Sequence, residues 1–211
     1  EPFEDYEWFF DQMNGSQSGI PAFLINTHAV QNADHARAYV ERIDGVGPLL
    51  DTLIARSAGQ ADDGVMPPDW VYPYVLSDIA NLLEAGMDNA VLEDFRSEVG
   101  GLEISETERA ALVADAEAAW ADSAAPAFER LHAEMLRQQA MAPTDDGIWR
   151  FAEGEAYYNA LLQYYTTTDL TADEVHNIGL REVDRIHGEM REIMQQVGFE
   201  GSLQEFFEFT R

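Results

Sequence analysis

Five histidines, a run of paired tyrosines and three consecutive threonines are the residues of this chain whose types could do chemistry. The histidines are His28, His35, His132, His176 and His187. A helical zinc site needs two ligands one turn apart, as in His-Glu-x-x-His, and no histidine pair here has that spacing. His28 and His35 are separated by Asn32, which suits a helix start. His176 and His187 are eleven residues apart, roughly 16 Å along a helix, too far for one ion. Glu129 with His132, and Asp173 with His176, have the i, i+3 spacing of di-metal carboxylate bundles. Acidic helices also produce such pairs by chance. No Gly-x-Ser-x-Gly elbow and no phosphate-binding glycine loop is present.

That leaves the stretch EAYYNALLQYYTTTDLTADEVHNIGL, residues 155–180. Tyr157, Tyr158, Tyr164 and Tyr165, with Thr166 to Thr168, form a polar-aromatic group that could line a cleft. The same side chains could equally be core residues with satisfied hydroxyls. His176 sits near the start of a long helix, where an imidazole can ligate metal or hydrogen-bond a substrate, or serve only as a structural hydrogen-bonder. Tyr157, Tyr158, Thr167 and His176 are the candidate cleft residues. No catalytic residue and no metal ligand is assigned.

The elements that must position them are helices. Thr171-Ala172-Asp173-Glu174 reads as a capping box. Behind it Val175, Ile178, Val183, Ile186, Met190, Ile193 and Val197 trace one apolar stripe, and Gly198 offers a left-handed stop. Upstream, Asn32 suits an N-cap, and Ala36, Tyr39, Val40 and Ile43 recur at helical spacing. GVGP at 45–48 is expected to end that helix, with a second one following through Leu49, Leu50, Leu53 and Ile54. Val71, Val75, Ile79 and Leu82 make another helical face closed by Gly86. Ser105-Glu106-Thr107-Glu108 opens a long helix in which Pro126 predicts a kink or a break. PTDDGIWRFAEG, residues 143–154, is turn-rich around a short apolar run. The fold class is therefore mainly α, a multi-helix array with at most a short hairpin or edge strand near 147–152. Residues 1–211 read as one helical region, part of a larger domain, with a possible sub-boundary near 87–104.

Composition narrows the partners. Of 211 residues, 40 are acidic and 12 basic, for a net charge of -28, and every basic residue is arginine. Such a surface repels phosphate backbones and anionic headgroups, so nucleic acid is excluded as a partner. An acidic excess without lysine fits a saline habitat. The absence of cysteine excludes disulfides and thiolate zinc sites. No apolar run approaches the ~20 residues that cross a bilayer. The chain begins at Glu1 and stops soon after a helix opens near Ser202, as an internal piece of a longer protein would.

FLINTHAVQNADHARAYVERI, GVMPPDWVYPYVLSDI, GIWRFAEGEAYYNALLQYYTTTDLTADEVHNIGLREVDRIHGEM and VGFEGSLQEFFEFTR occur in that order over nearly the whole chain. Together they resemble the bacterial family known as domain of unknown function 885, which is similar to zinc metallopeptidases of the gluzincin type. The acidic, alanine-rich stretch 93–142 carries the resemblance least. At FAEG, residues 151–154, this chain departs from a pattern that tends to place proline before the glycine. The resemblance implies an α-helical protein two to three times this long, exported, often lipid-anchored or periplasmic. Its zinc would sit on a His-Glu-x-x-x-Gly-His-His type of motif that has no equivalent between Glu1 and Arg211. On that reading this chain holds no cofactor, the full-length protein binds zinc, and the partners are a peptide substrate or the remaining part of the same protein. The fragment is expected to be inactive by itself, as scaffold and one wall of the cleft. The competing reading is a non-enzymatic helical module of the cell envelope that binds a peptide or protein.

Overall fold

The computed structural model describes Phe3 and residues 6–211. These residues contain helices, turns and loops and no strand, as the mainly α expectation requires. The chain divides into two compact units, residues 1–147 and 148–211.

The first unit is built around α2 (Ala33–Asp62), a helix of 30 residues and so about 45 Å long. Asn32 caps it by accepting from the His35 amide at 2.9 Å. Around it lie α1 (Ser16–Thr27), α3 (Tyr72–Glu84), α4 (Ala90–Gly100), α5 (Glu106–Ala119) and α6 (Ala125–Gln139). The segment 87–104 is occupied mainly by α4, inside this unit. The core follows the helical stripes: Tyr39, Ile43 and Leu50 of α2, Val75 and Ile79 of α3, Leu92 and Phe95 of α4, Phe128, Leu131 and Met135 of α6. Burying each such large side chain stabilises the fold by about 1.5–3 kcal/mol. Tyr39 and Phe95 meet with ring centroids 5.1 Å apart. At the rim, Arg130 takes Asp51 in a bidentate grip at 2.8 and 2.9 Å, and Arg37 reaches Glu108 at 2.8 Å. These pairs are half-exposed, worth under about 1 kcal/mol each; they set which helices adjoin more than how stable the array is.

GVGP does not end a helix. α2 runs straight through Pro48, which has no amide to give the Asp44 carbonyl one turn back. The missing donor comes from elsewhere: the Ser123 hydroxyl donates to that carbonyl. Ser123 lies in a π-helical turn, Trp120–Ala124, that joins α5 to α6, so the irregularity expected from Pro126 is a π turn with the proline seated in the first turn of α6. Gly47 lets the two segments close. A Cβ there would stand 2.4 Å from Ser123 Oγ, closer than atoms can pack, and 3.1 Å from its carbonyl oxygen. One glycine, one serine and one proline thus form a single joint.

Below the joint, Gln138 of α6 is buried. It donates to Ser57 Oγ at 3.0 Å and to Glu134 at 2.8 Å, and accepts from the Tyr72 hydroxyl at 3.2 Å, linking α2, α3 and α6. Burial would push the Glu134 carboxyl up, but the donors Arg137 and Gln138 outweigh it and hold the group below its ordinary range. Ser105 caps α5 through the Glu108 amide. The Glu108 side chain turns instead to Arg37 at 2.8 Å.

The second unit begins with a 3-10 turn, Ile148–Arg150, where the sequence allowed a short strand. It continues with α7 (Gly154–Thr166), α8 (Ala172–Gln196) and α9 (Leu203–Phe209). Thr171 and Ser202 both complete capping boxes. Gly198 ends α8 at φ +67°. Gly154 is obligatory for a different reason: a Cβ would fall 2.0 Å from the Ile148 carbonyl oxygen. Helix α7 therefore starts hard against the turn before it, at the FAEG departure.

Candidate functional site

The helix starts and turns of the second unit enclose an open groove of ≈ 860 Å³. Its walls come from the 3-10 turn (Trp149), one face of α7 (Tyr158, Asn159, Gln163) and the α7–α8 loop with the first residues of α8 (Thr168, Asp169, Asp173). Trp149 is 80% exposed and Tyr158 47%, so two aromatic faces are open to an incoming chain.

The loop is held by short-range hydrogen bonds that its sequence dictates. Thr166 Oγ1 donates to the Leu162 carbonyl at 2.7 Å and lies 2.9 Å from Thr168 Oγ1. Gln163 Nε2 donates to Asp169 Oδ1 at 2.9 Å. Thr167 takes the left-handed conformation, φ +55°, at the end of α7, a position that disfavours a β-branched residue. Backbone strain of this kind is stored where the surroundings over-determine it. At the start of α8 the Thr171 amide and hydroxyl both donate to Glu174 at 2.8 Å. These bonds hold the Glu174 carboxyl below its usual range.

Of the four candidate residues, Tyr158 lines the groove. Tyr157, next to it, is half-buried on α7 and lies outside the lining. Thr167 shapes the loop while its neighbour Thr168 faces the groove. His176 is exposed one turn into α8, also outside the lining. Trp149, Asn159 and Gln163 complete the site and were not singled out in the sequence. Asn159 and Gln163 follow Glu155 at i+4 and i+8, a polar helical stripe that marks them once α7 is recognised.

Among the described residues, no three histidine or carboxylate side chains converge as a metal would require. Glu129 with His132 and Asp173 with His176 remain isolated pairs.

A second polar cluster lies in the first unit where α1 passes into α2. The His28 ring lies 4.9 Å from the Tyr39 ring, tilted by 33°, and accepts from Arg42. The Tyr39 hydroxyl donates to Asp94 at 3.1 Å, and the Val30 amide donates to Glu98 at 3.1 Å. Burial, then the Arg42 guanidinium, hold the His28 imidazole below its ordinary range. Burial raises the Asp94 carboxyl despite the Tyr39 bond, and burial with the Asp94 charge pushes the Tyr39 phenol upward. Beside this cluster α1 and α2 bound an apolar groove of ≈ 570 Å³.

The array of helices defines an all-α protein, with an open, aromatic-walled groove in its second unit. Over residues 3–211 the chain matches the family described as "Bacterial protein of unknown function (DUF885)", and it belongs to that family. The crystal structure described as that of the putative lipoprotein from Colwellia psychrerythraea has the same fold, with a TM-score of 0.84 at 21% sequence identity. The match covers 94% of this chain and 34% of that one, so this chain spans about a third of its length. No curated protein matches the chain.

Proposed function

We propose that this chain is the helical scaffold of a longer, zinc-dependent peptidase of the cell envelope, and that the groove of the second unit is one wall of its peptide cleft. The observation that carries the reading is the groove itself: open, walled by Trp149 and Tyr158, and rimmed by amide and carboxylate side chains. Aromatic faces bind extended peptide side chains and the amides of Asn159 and Gln163 can pair with peptide backbone. Further support comes from α8. Ile178, Val183, Ile186, Ile193 and Val197 are 38–62% exposed along one helix, an apolar stripe suited to packing against further polypeptide. The solved relative is about three times as long, which supplies polypeptide to cover it. Zinc and the groups that activate water would lie in that further polypeptide. The relative's description as a lipoprotein supports placement at the envelope.

The test compares the full-length protein with its Tyr158→Ala and Trp149→Ala variants in a peptide-hydrolysis assay. The reading expects KM to rise with kcat little changed, and no hydrolysis by residues 1–211 alone. Hydrolysis indifferent to both substitutions would remove the groove from the cleft. Peptide binding by the full-length, zinc-loaded protein without hydrolysis would make it a binding module instead.

A further inference from the structure

The groove between α1 and α2 in the first unit has the make-up of a small-molecule site. On α1, Ser16, Gly19, Ile20 and Phe23 face it; on α2, Arg42, Gly45, Val46 and Leu49 do. Both sets follow i, i+3, i+4, i+7, so each is one stripe of its helix. Phe23 and Leu49 are nearly half exposed, at 49% and 47%, although both are large and apolar. A Cβ built on Gly19 or Gly45 meets nothing within 4 Å, so the space before each glycine is open. A volume of ≈ 570 Å³ falls in the range of about 300–1,000 Å³ typical of ligand pockets, which are mostly apolar with a few polar groups that orient the ligand.

The orienting group is Arg42. This chain carries 40 acidic residues, and Arg37, Arg96, Arg109, Arg130, Arg137, Arg185 and Arg211 each hold at least one of them. Arg56, Arg181 and Arg191 hold none among the described residues but line neither groove. Arg42 has no carboxylate at ion-pair distance among the described residues. Its partner is the ring of His28, which must offer a lone pair to accept and is therefore neutral. The guanidinium is thus held by a neutral ring rather than by a carboxylate, and it borders an apolar trough. Glu41, which also lines the groove, opposes a second negative charge and so favours a monoanion over a phosphate dianion.

We propose that the α1–α2 groove binds a single-tailed amphiphile with a carboxylate head, a medium-chain fatty acid by chemical class. The head pairs with Arg42, and the tail lies along Ile20, Phe23, Val46 and Leu49. The guanidinium supplies the planar, two-bond fork that a carboxylate fits.

The test is calorimetric titration of the 211-residue chain with dodecanoate below its micellar concentration, with dodecyltrimethylammonium and dodecyl phosphate as head-group controls. Saturable one-to-one binding of dodecanoate is expected, weaker binding of the phosphate, and none of the cation. Arg42→Gln should weaken dodecanoate about tenfold or more, the loss of one charge-assisted pair. Gly45→Leu fills the open space from a better helix former and should abolish binding with the melting curve intact. Equal affinity for the cationic detergent, an Arg42→Gln variant within about twofold of the parent, or undiminished binding in Gly45→Leu would each overturn the proposal.

Discussion

Replacing Ser123 by alanine should cost stability only while residue 48 is proline. In the native chain the Ser123 hydroxyl is the donor that answers the Asp44 carbonyl, because Pro48 has no amide for it. Removing the hydroxyl leaves that oxygen facing a helix that cannot satisfy it, a loss of about 1–2 kcal/mol. The Asp44 side of α2 is exposed, so water recovers part of the bond and the lower figure, about 1 kcal/mol, is expected. For a chain of this size that is a fall in Tm of about 2–4 °C. In a Pro48→Ala background the new amide reaches Asp44 in the ordinary helical pattern, and Ser123→Ala should then be nearly neutral. The coupling in the double-mutant cycle is therefore also about 1 kcal/mol. Urea denaturation followed by far-UV circular dichroism reads all four proteins, provided the m-values agree. If Ser123→Ala costs the same with alanine at 48 as with proline, the two residues are not one joint and the reasoning fails.

Two further outcomes follow from the same geometry and from the histidine cluster. Gly47→Ala, which in an open helix would stabilise by about 1 kcal/mol, should instead destabilise by about 1–3 kcal/mol, since its Cβ would meet Ser123 Oγ at 2.4 Å; a higher urea midpoint for the variant would contradict this. His28 is held below its ordinary range by burial and Arg42, so the unfolded chain takes up the proton first. Its contribution is present above the unfolded value of about 6.5 and is lost as pH falls through the lower folded one. Asp94, raised by burial, acts in the opposite sense but in the carboxylate range. Between roughly pH 7.5 and 5.5, His28→Asn should thus flatten the decline in stability, and an unchanged slope would show that His28 does not titrate in that window.

Features set by neighbouring residues were legible in the sequence. Asn32, the Thr171–Glu174 box and the left-handed glycines at 86 and 198 each depend on residues within about one turn. The passage of α2 through Pro48 was not legible, because the donor that permits it lies 79 residues away in a π turn. A local pattern ends a helix at such a proline; a tertiary partner lets it continue. The groove was legible in the same measure. Tyr158 stood out by type, whereas Trp149 faces the groove only because Gly154 brings α7 against the turn at Ile148. His176 stood out by chemistry, yet the register of α8 places it outside.

Residues 148–211 hold two complete capping boxes but a single buried hydrophobic side chain, Met194. Their helices are thus begun and ended by local rules and have scant interior to keep them closed. Amide protons in α8 should exchange through frequent short openings rather than through global unfolding. Whatever comes to rest on that helix will set its lifetime, and slowed exchange there would report such contact before any change in shape.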